Sequence, residues 1–131
     1  MSSSTSDGPL TGSCHCGRIS ITIPSKPSRI NQCHCTVCYK LGALWGYFPK
    51  SSVTIIEKDG ATRNKYLRED LAPEEFESIS FDSCSVCGTL TNWSRAPAKD
   101  TDEHAKMGVN MRVFGEVEKV MGDVPREIEY C

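Results

Sequence analysis

The chain has no long apolar run. Nothing in its 131 residues approaches the roughly 20 apolar residues that a membrane-spanning helix needs, so no membrane partner is expected. It has no excess of positive charge either: 15 Lys and Arg stand against 17 Asp and Glu, a net charge of -2. The basic footprint that accompanies nucleic-acid binding is missing, and no nucleic-acid partner is expected. The N-terminal stretch lacks an apolar core segment, which argues against a secretory signal. Residues 1–10 are Ser-rich and without periodicity, and read as a disordered leader. No solenoid-type repeat is present. These absences leave one small domain with an ordinary core in a reducing, cytoplasmic setting.

The cysteines carry the signal. There are eight, and seven fall into short spacings: Cys14 and Cys16, then Cys33, Cys35 and Cys38, then Cys84 and Cys87. In a secreted chain such a count would suggest disulfides. In a reducing compartment the paired spacings suggest metal, and Cys-x-Cys neighbours bridge each other poorly. Soft thiolates at this density suit zinc better than a hard cation. Glycines beside the motifs, Gly12, Gly17 and Gly88, permit the tight backbone that turns two sulfurs toward one ion.

Around these motifs the pattern is that of short strands. Residues 18–23 alternate apolar and polar with β-branched side chains, and Pro24 and Pro27 end the run. Residues 36–41 predict a short helical turn. Residues 44–49 and 52–57 read as strands, and Asp59-Gly60 signals a hairpin returning through 64–67. Residues 68–77 and 96–105 read as loops. Residues 77–81 and 90–94 read as strands flanking the Cys84/Cys87 knuckle, and 109–114 as another. Val117, Val120 and Met121 have helix-like spacing, and 123–131 reads as a C-terminal tail.

Seven sulfurs divide as four plus three. Cys14, Cys16, Cys84 and Cys87 would make a closed four-sulfur site that staples the two ends of the domain. Cys33, Cys35 and Cys38 would then hold a second ion with one position left over, and closed sites are structural while open sites are catalytic. Spacing alone leaves other partitions open: one site with a spare triad, or a second site closed by His15, His34, His104 or a carboxylate. The middle residue of Cys-x-Cys points away from the face its sulfurs use, which counts against His15 and His34. His104 reads as solvated and Cys131 as a free surface thiol. Trp45, Tyr47, Phe48, Trp93 and Phe114 read as core, and Lys40, Arg95 and Arg112 as surface charges.

Gly12-Ser13-Cys14-His15-Cys16-Gly17, Cys33-His34-Cys35-Thr36-Val37-Cys38 with Lys40 and Gly42, and Cys84-Ser85-Val86-Cys87-Gly88 together resemble the glutathione-dependent formaldehyde-activating (Gfa-like, CENP-V/GFA) domain. The resemblance runs from about Thr11 to about Phe114, and the zinc domain it implies occupies residues 11–122. Tyr39 departs from the family, which often has Arg there. The resemblance implies a mainly β, Mss4-like, zinc-stapled fold of short antiparallel strands with little helix. It also implies two zinc ions per chain, with Cys14, Cys16, Cys84 and Cys87 as the structural site and Cys33, Cys35 and Cys38 as the catalytic one.

The expected function is that of a zinc-dependent carbon–sulfur lyase of the S-(hydroxymethyl)glutathione synthase type. It would form or cleave an adduct between a thiol, glutathione foremost, and a small carbonyl compound such as formaldehyde. Because glutathione carries two carboxylates, a cationic wall is expected, with Lys40 and Arg112 as candidates and Tyr39 as a proton donor. The alternative is a non-catalytic zinc-binding interaction module of the same fold, since fold does not fix function. The two differ at the fourth position of the central ion: water or a bound thiol for the enzyme, a protein side chain for the module.

Overall fold

The computed structural model describes residues 8–67, 79–95 and 105–129. The fully buried alternation of Ile19, Ile21 and Ile23 makes β2 (Ile19–Ile23) the spine of a small antiparallel sheet. It lies between β1 (Leu10–Ser13) and β5 (Thr54–Glu57). Burying each such side chain stabilises by about 1.5–3 kcal/mol. The second sheet has seven strands. From one edge they are β10 (Arg126–Glu129), β3 (Ile30–Cys33), β4 (Trp45–Pro49), β9 (Lys106–Asn110), β8 (Leu90–Arg95), β7 (Ile79–Cys84) and β6 (Arg63–Leu67). Neighbours pair antiparallel except β10 with β3, which run parallel. Helix is confined, among the described residues, to α1 (Thr36–Leu41), α2 (Val117–Val120) and two short 3-10 turns.

The pleat sorts the side chains of the large sheet. On β4, Phe48 joins Met107 and Val109 of β9 and the isoleucines of β2 in the main core between the sheets. Trp45 and Tyr47 point to the opposite face, where Cys33, Cys38, Phe81 and Trp93 gather. A third cluster at the end of the sandwich holds Cys14, Ile19, Ala61 and Cys84. The period-2 geometry of strands thus separates a cysteine-free core from two that hold cysteines. No described helix is long and apolar enough to cross a membrane.

Four sequence expectations change. Asp59 and Gly60 do form a positive-φ turn, yet β5 and β6 are not a hairpin: β5 pairs with β2 and β6 with β7, so the turn carries the chain from one sheet to the other. The strand expected over 109–114 stops at Asn110, whose side chain accepts a hydrogen bond from the Arg112 amide and caps a 3-10 turn over Met111–Phe114. Residues 126–129, expected as tail, form β10. β1 and β3 have too few apolar residues to stand out and owe their form to pairing with neighbours. Residues 1–7, most of the two loops expected over 68–77 and 96–105, His104 and Cys131 lie outside the described residues.

Two glycines of the large sheet give a test of this packing. A Cβ on Gly108 would overlap the Trp93 indole, whereas a Cβ on Gly46 would meet mainly the flexible end of Met111. Overpacking against a rigid neighbour costs on the order of 1–3 kcal/mol. Thermal melts should therefore show Gly108→Ala clearly destabilised and Gly46→Ala less so; equal melting temperatures would contradict the placement of Trp93 over Gly108.

Candidate metal centres

The first sulfur cluster is made by two tight turns far apart in sequence, one after β1 and one after β7. Cys14 leaves β1, and the turn closes with Gly17 donating to the Cys14 carbonyl (3.1 Å) and Cys14 donating to that of Ile19 (3.0 Å). Cys84 ends β7, and Gly88 donates to the Cys84 carbonyl (2.9 Å). Both glycines sit at positive φ, 83° and 81°, where a side chain would be strained. Four sulfurs converge so that all lie within 4.8 Å of one another, with Cys14–Cys16 at 3.6 Å and Cys16–Cys84 at 3.7 Å.

Backbone amides of these turns point at the sulfurs. The Ile19 amide donates to Cys14 Sγ (3.3 Å), Val86 to Cys84 Sγ (3.4 Å) and Cys16 to Cys87 Sγ (3.5 Å). Such donors favour the thiolate form. The Thr89 hydroxyl, 3.2 Å from Cys87 Sγ, leads in holding the Cys87 thiol down to about 5. Cys16 is also lowered, first by the Arg18 amide, while burial raises Cys14.

The second cluster is local. Cys33 ends β3, Cys35 is the N-cap of α1, and Cys38 lies one turn on, so the helix brings Cys35 and Cys38 to one side. The helix stops at Gly42, whose φ of 72° lets its amide reach the carbonyls of Cys38 (3.0 Å) and Tyr39 (3.2 Å). Among the described residues this group comprises the three thiols alone, within 4.8 Å of one another. Burial pushes the Cys38 thiol up to about 11. The Trp45 indole N–H, itself buried, donates to Cys38 Sγ at 3.4 Å.

Cys33 and Cys38 face a cleft of about 250 Å³, whose walls include His34, Tyr39, Arg112 and Arg126. Arg112 Nε donates to the Gly42 carbonyl at 3.0 Å, which ties its side chain to the end of α1. The Tyr39 ring is edge-on to His34, with centroids 5.1 Å apart. A larger cavity of about 440 Å³ opens on the other face of the sheet. It is lined by Lys50, Arg63, Lys65 and Arg95 but touches no cysteine. Two of these cations, Arg63 and Lys65, serve the fully buried Asp82, which accepts from Lys65 (3.1 Å) and from Asn92 (3.1 Å). The sulfur chemistry therefore belongs to the smaller cleft.

All seven clustered cysteines come together in the expected four-plus-three grouping, and each group could hold a metal ion. His15 and His34 join neither. Arg112 reaches the cleft, but Lys40 is exposed and does not line it. Three participants had no legible signal: Arg126, brought in by β10; Gln32, whose amide lies 3.1 Å from the His34 ring; and Trp45, read only as core. Trp45 does belong to the core, but its N–H serves the cluster.

The Trp45 contact is open to test. Trp45→Phe keeps most of the ring and removes the donor. The variant should fold and still take up metal at the triad. In its cobalt form, the thiolate-to-metal absorption should move to lower energy, because a sulfur that has lost a hydrogen bond is easier to oxidise. An unshifted spectrum would reduce Trp45 to packing.

No curated protein matches the chain. Among solved structures, the crystal structure of a Rhodobacter sphaeroides protein, a structural-genomics target, is similar at a TM-score of 0.64 and 21% identity. The similarity covers 90% of this chain and 100% of that one, and it shows the fold. The family model described as glutathione-dependent formaldehyde-activating enzyme matches residues 9–124, a span that holds both sulfur clusters. The chain belongs to that family of glutathione-dependent formaldehyde-activating enzymes.

Proposed function

We propose that the chain is a zinc-dependent carbon–sulfur lyase joining glutathione to formaldehyde or another small carbonyl compound, or cleaving such an adduct. The observation that carries this reading is the inequality of the two clusters: four sulfurs at one, and three on the wall of a cleft at the other. Zinc suits both donor sets. Tetrahedral bonds of about 2.3 Å to sulfur set neighbouring sulfurs roughly 3.8 Å apart; in the four-sulfur cluster Cys14–Cys16 and Cys16–Cys84 stand 3.6 and 3.7 Å apart, and the three sulfurs of the triad lie within 4.8 Å of one another. In this reading Cys14, Cys16, Cys84 and Cys87 hold a structural zinc, and Cys33, Cys35 and Cys38 hold a catalytic one.

Zinc held by the triad would supply, at its one remaining position, Lewis acidity that favours the thiolate form of an incoming thiol. The protein supplies the rest. Trp45 holds Cys38 Sγ and draws off part of the negative charge that three thiolates accumulate. Arg112 gives the cleft a positive wall for an anionic substrate. In the addition, the thiol gives up its proton and its sulfur bonds to the carbonyl carbon. The π pair moves to oxygen, and oxygen takes a proton to give the hydroxymethyl adduct. Tyr39, on the cleft wall and well exposed, is assigned as the group that delivers this proton and recovers it from solvent.

Two expectations test the assignment. Cys84→Ser should unfold or aggregate the chain, since a structural zinc contributes on the order of 10 kcal/mol, comparable to a whole domain's stability. Cys38→Ser should remain folded and lose thiol–aldehyde turnover; equal thermal destabilisation of the two variants would sink the division of roles. In the cobalt-substituted protein, glutathione should strengthen the sulfur charge-transfer bands and S-methylglutathione should not. A spectrum indifferent to glutathione and other small thiols would favour the non-catalytic interaction module.

A further inference from the structure

The family match ends at residue 124, and the chain then forms one more strand. β10 lies parallel to β3, the strand that ends in Cys33, with Arg126 opposite Ile30 and Glu129 opposite Cys33. The pairing is anchored at both ends. The Ile30 amide donates to the Pro125 carbonyl (2.8 Å), and the His34 amide to that of Glu129 (2.6 Å). Asn31 Nδ2 adds a bond to the Glu129 carboxylate at 2.6 Å. This segment is thus fastened along the strand that carries the central triad.

Its first residue has a consequence for the cleft. Arg126 lines the same 250 Å³ space as Cys33, Cys38 and Arg112. Its Nη2 meets Glu118 of α2 at 3.1 Å, but Glu118 is 74% exposed, and exposed pairs of this kind contribute little. A guanidinium has five N–H donors in a planar fork suited to a carboxylate. Glu118 is held below the usual carboxylate range, first by its own backbone amide and then by Arg126, with Arg112 adding at longer range. Arg112 and Arg126 both line the cleft that Cys33 and Cys38 face.

We propose that Arg126, delivered by a strand beyond the family-matched segment, is a specificity-determining residue that binds a carboxylate of the thiol substrate, with Arg112 taking the other. The proposal rests on the thiol–carbonyl reading for its ligand, and makes the site selective for carboxylate-bearing thiols over neutral ones. Two arginines near a cluster of thiolates are matched to a substrate that brings one sulfur and two carboxylates. A neutral thiol would leave both guanidiniums facing water and gain nothing from them.

The experiment uses the zinc-loaded full chain and a ligand that cannot react. S-methylglutathione keeps both carboxylates but offers no thiolate, and its dimethyl ester keeps the body without those charges. Calorimetric titration should show the acid binding more tightly than the ester. Arg126→Gln should weaken the acid about three- to tenfold and leave the ester unchanged. Glu118→Gln separates ligand binding from tethering, because it cuts the link between α2 and β10 while leaving Arg126 in place. It should bind the acid at least as well as the parent protein. The proposal is overturned if acid and ester bind alike, if Arg126→Gln binds as the parent does, or if Glu118→Gln weakens binding as much as Arg126→Gln. Acid-selective binding through Arg126 without thiol–aldehyde turnover would instead remove the enzyme reading and leave this site standing.

Discussion

Four sulfurs contributed by turns about 70 residues apart converge at one point of this domain: Cys16 and Cys84, 68 positions apart, stand 3.7 Å from each other. Everything downstream depends on that convergence. It brings the start of β2 against the end of β7, and a metal ion held there would keep the small sheet closed over the apolar core. Closing so long a loop carries a large entropic cost, and the apolar core of a chain this size leaves only a modest margin to meet it. The amides aimed at Cys14, Cys84 and Cys87 show a backbone shaped for thiolates, not merely for packed thiols.

The second cluster has a different construction. Its three sulfurs come from one stretch of six residues, at the join of β3 and α1, so they depend little on long-range closure. Their support is lateral. The Trp45 indole touches Cys38 from β4, and the Glu129 carbonyl receives the His34 amide from β10. A triad supported from behind and open in front is the arrangement a reactive centre needs: fixed ligands, with access reserved for substrate.

The cysteine motifs were legible in the sequence because such turns are local, but spacing left open which motifs share a cluster, and the four-plus-three partition came with the family resemblance. Cys-x-Cys and Cys-x-x-Cys with adjacent glycine specify their own geometry, β2 carried a clear alternation, and α1 was read as a short helical turn. What was not legible depends on partners. The Asp59-Gly60 turn is a local fact, but which strand β6 would meet is not, so the apparent hairpin dissolved into two sheets. Asn110 stopped a strand whose alternation continued past it, because a side-chain cap outweighed pattern. β10 has the sequence of an exposed tail, and becomes a strand only because β3 offers an open edge. Arg126 reached the cleft by that route, and no spacing rule points to it. Trp45 was read as core on apolar size alone, which says nothing of where its single N–H points.

The central claim is that the two sulfur clusters are unequal as metal sites. X-ray absorption at the zinc edge on the metal-loaded chain tests it most directly. Seven sulfurs shared by two ions give an average of about 3.5 sulfur ligands per zinc, with the balance made up by a light atom. Adding glutathione should raise that average toward four. An average of four sulfurs before any thiol is added, or one that glutathione leaves unchanged, would contradict the account.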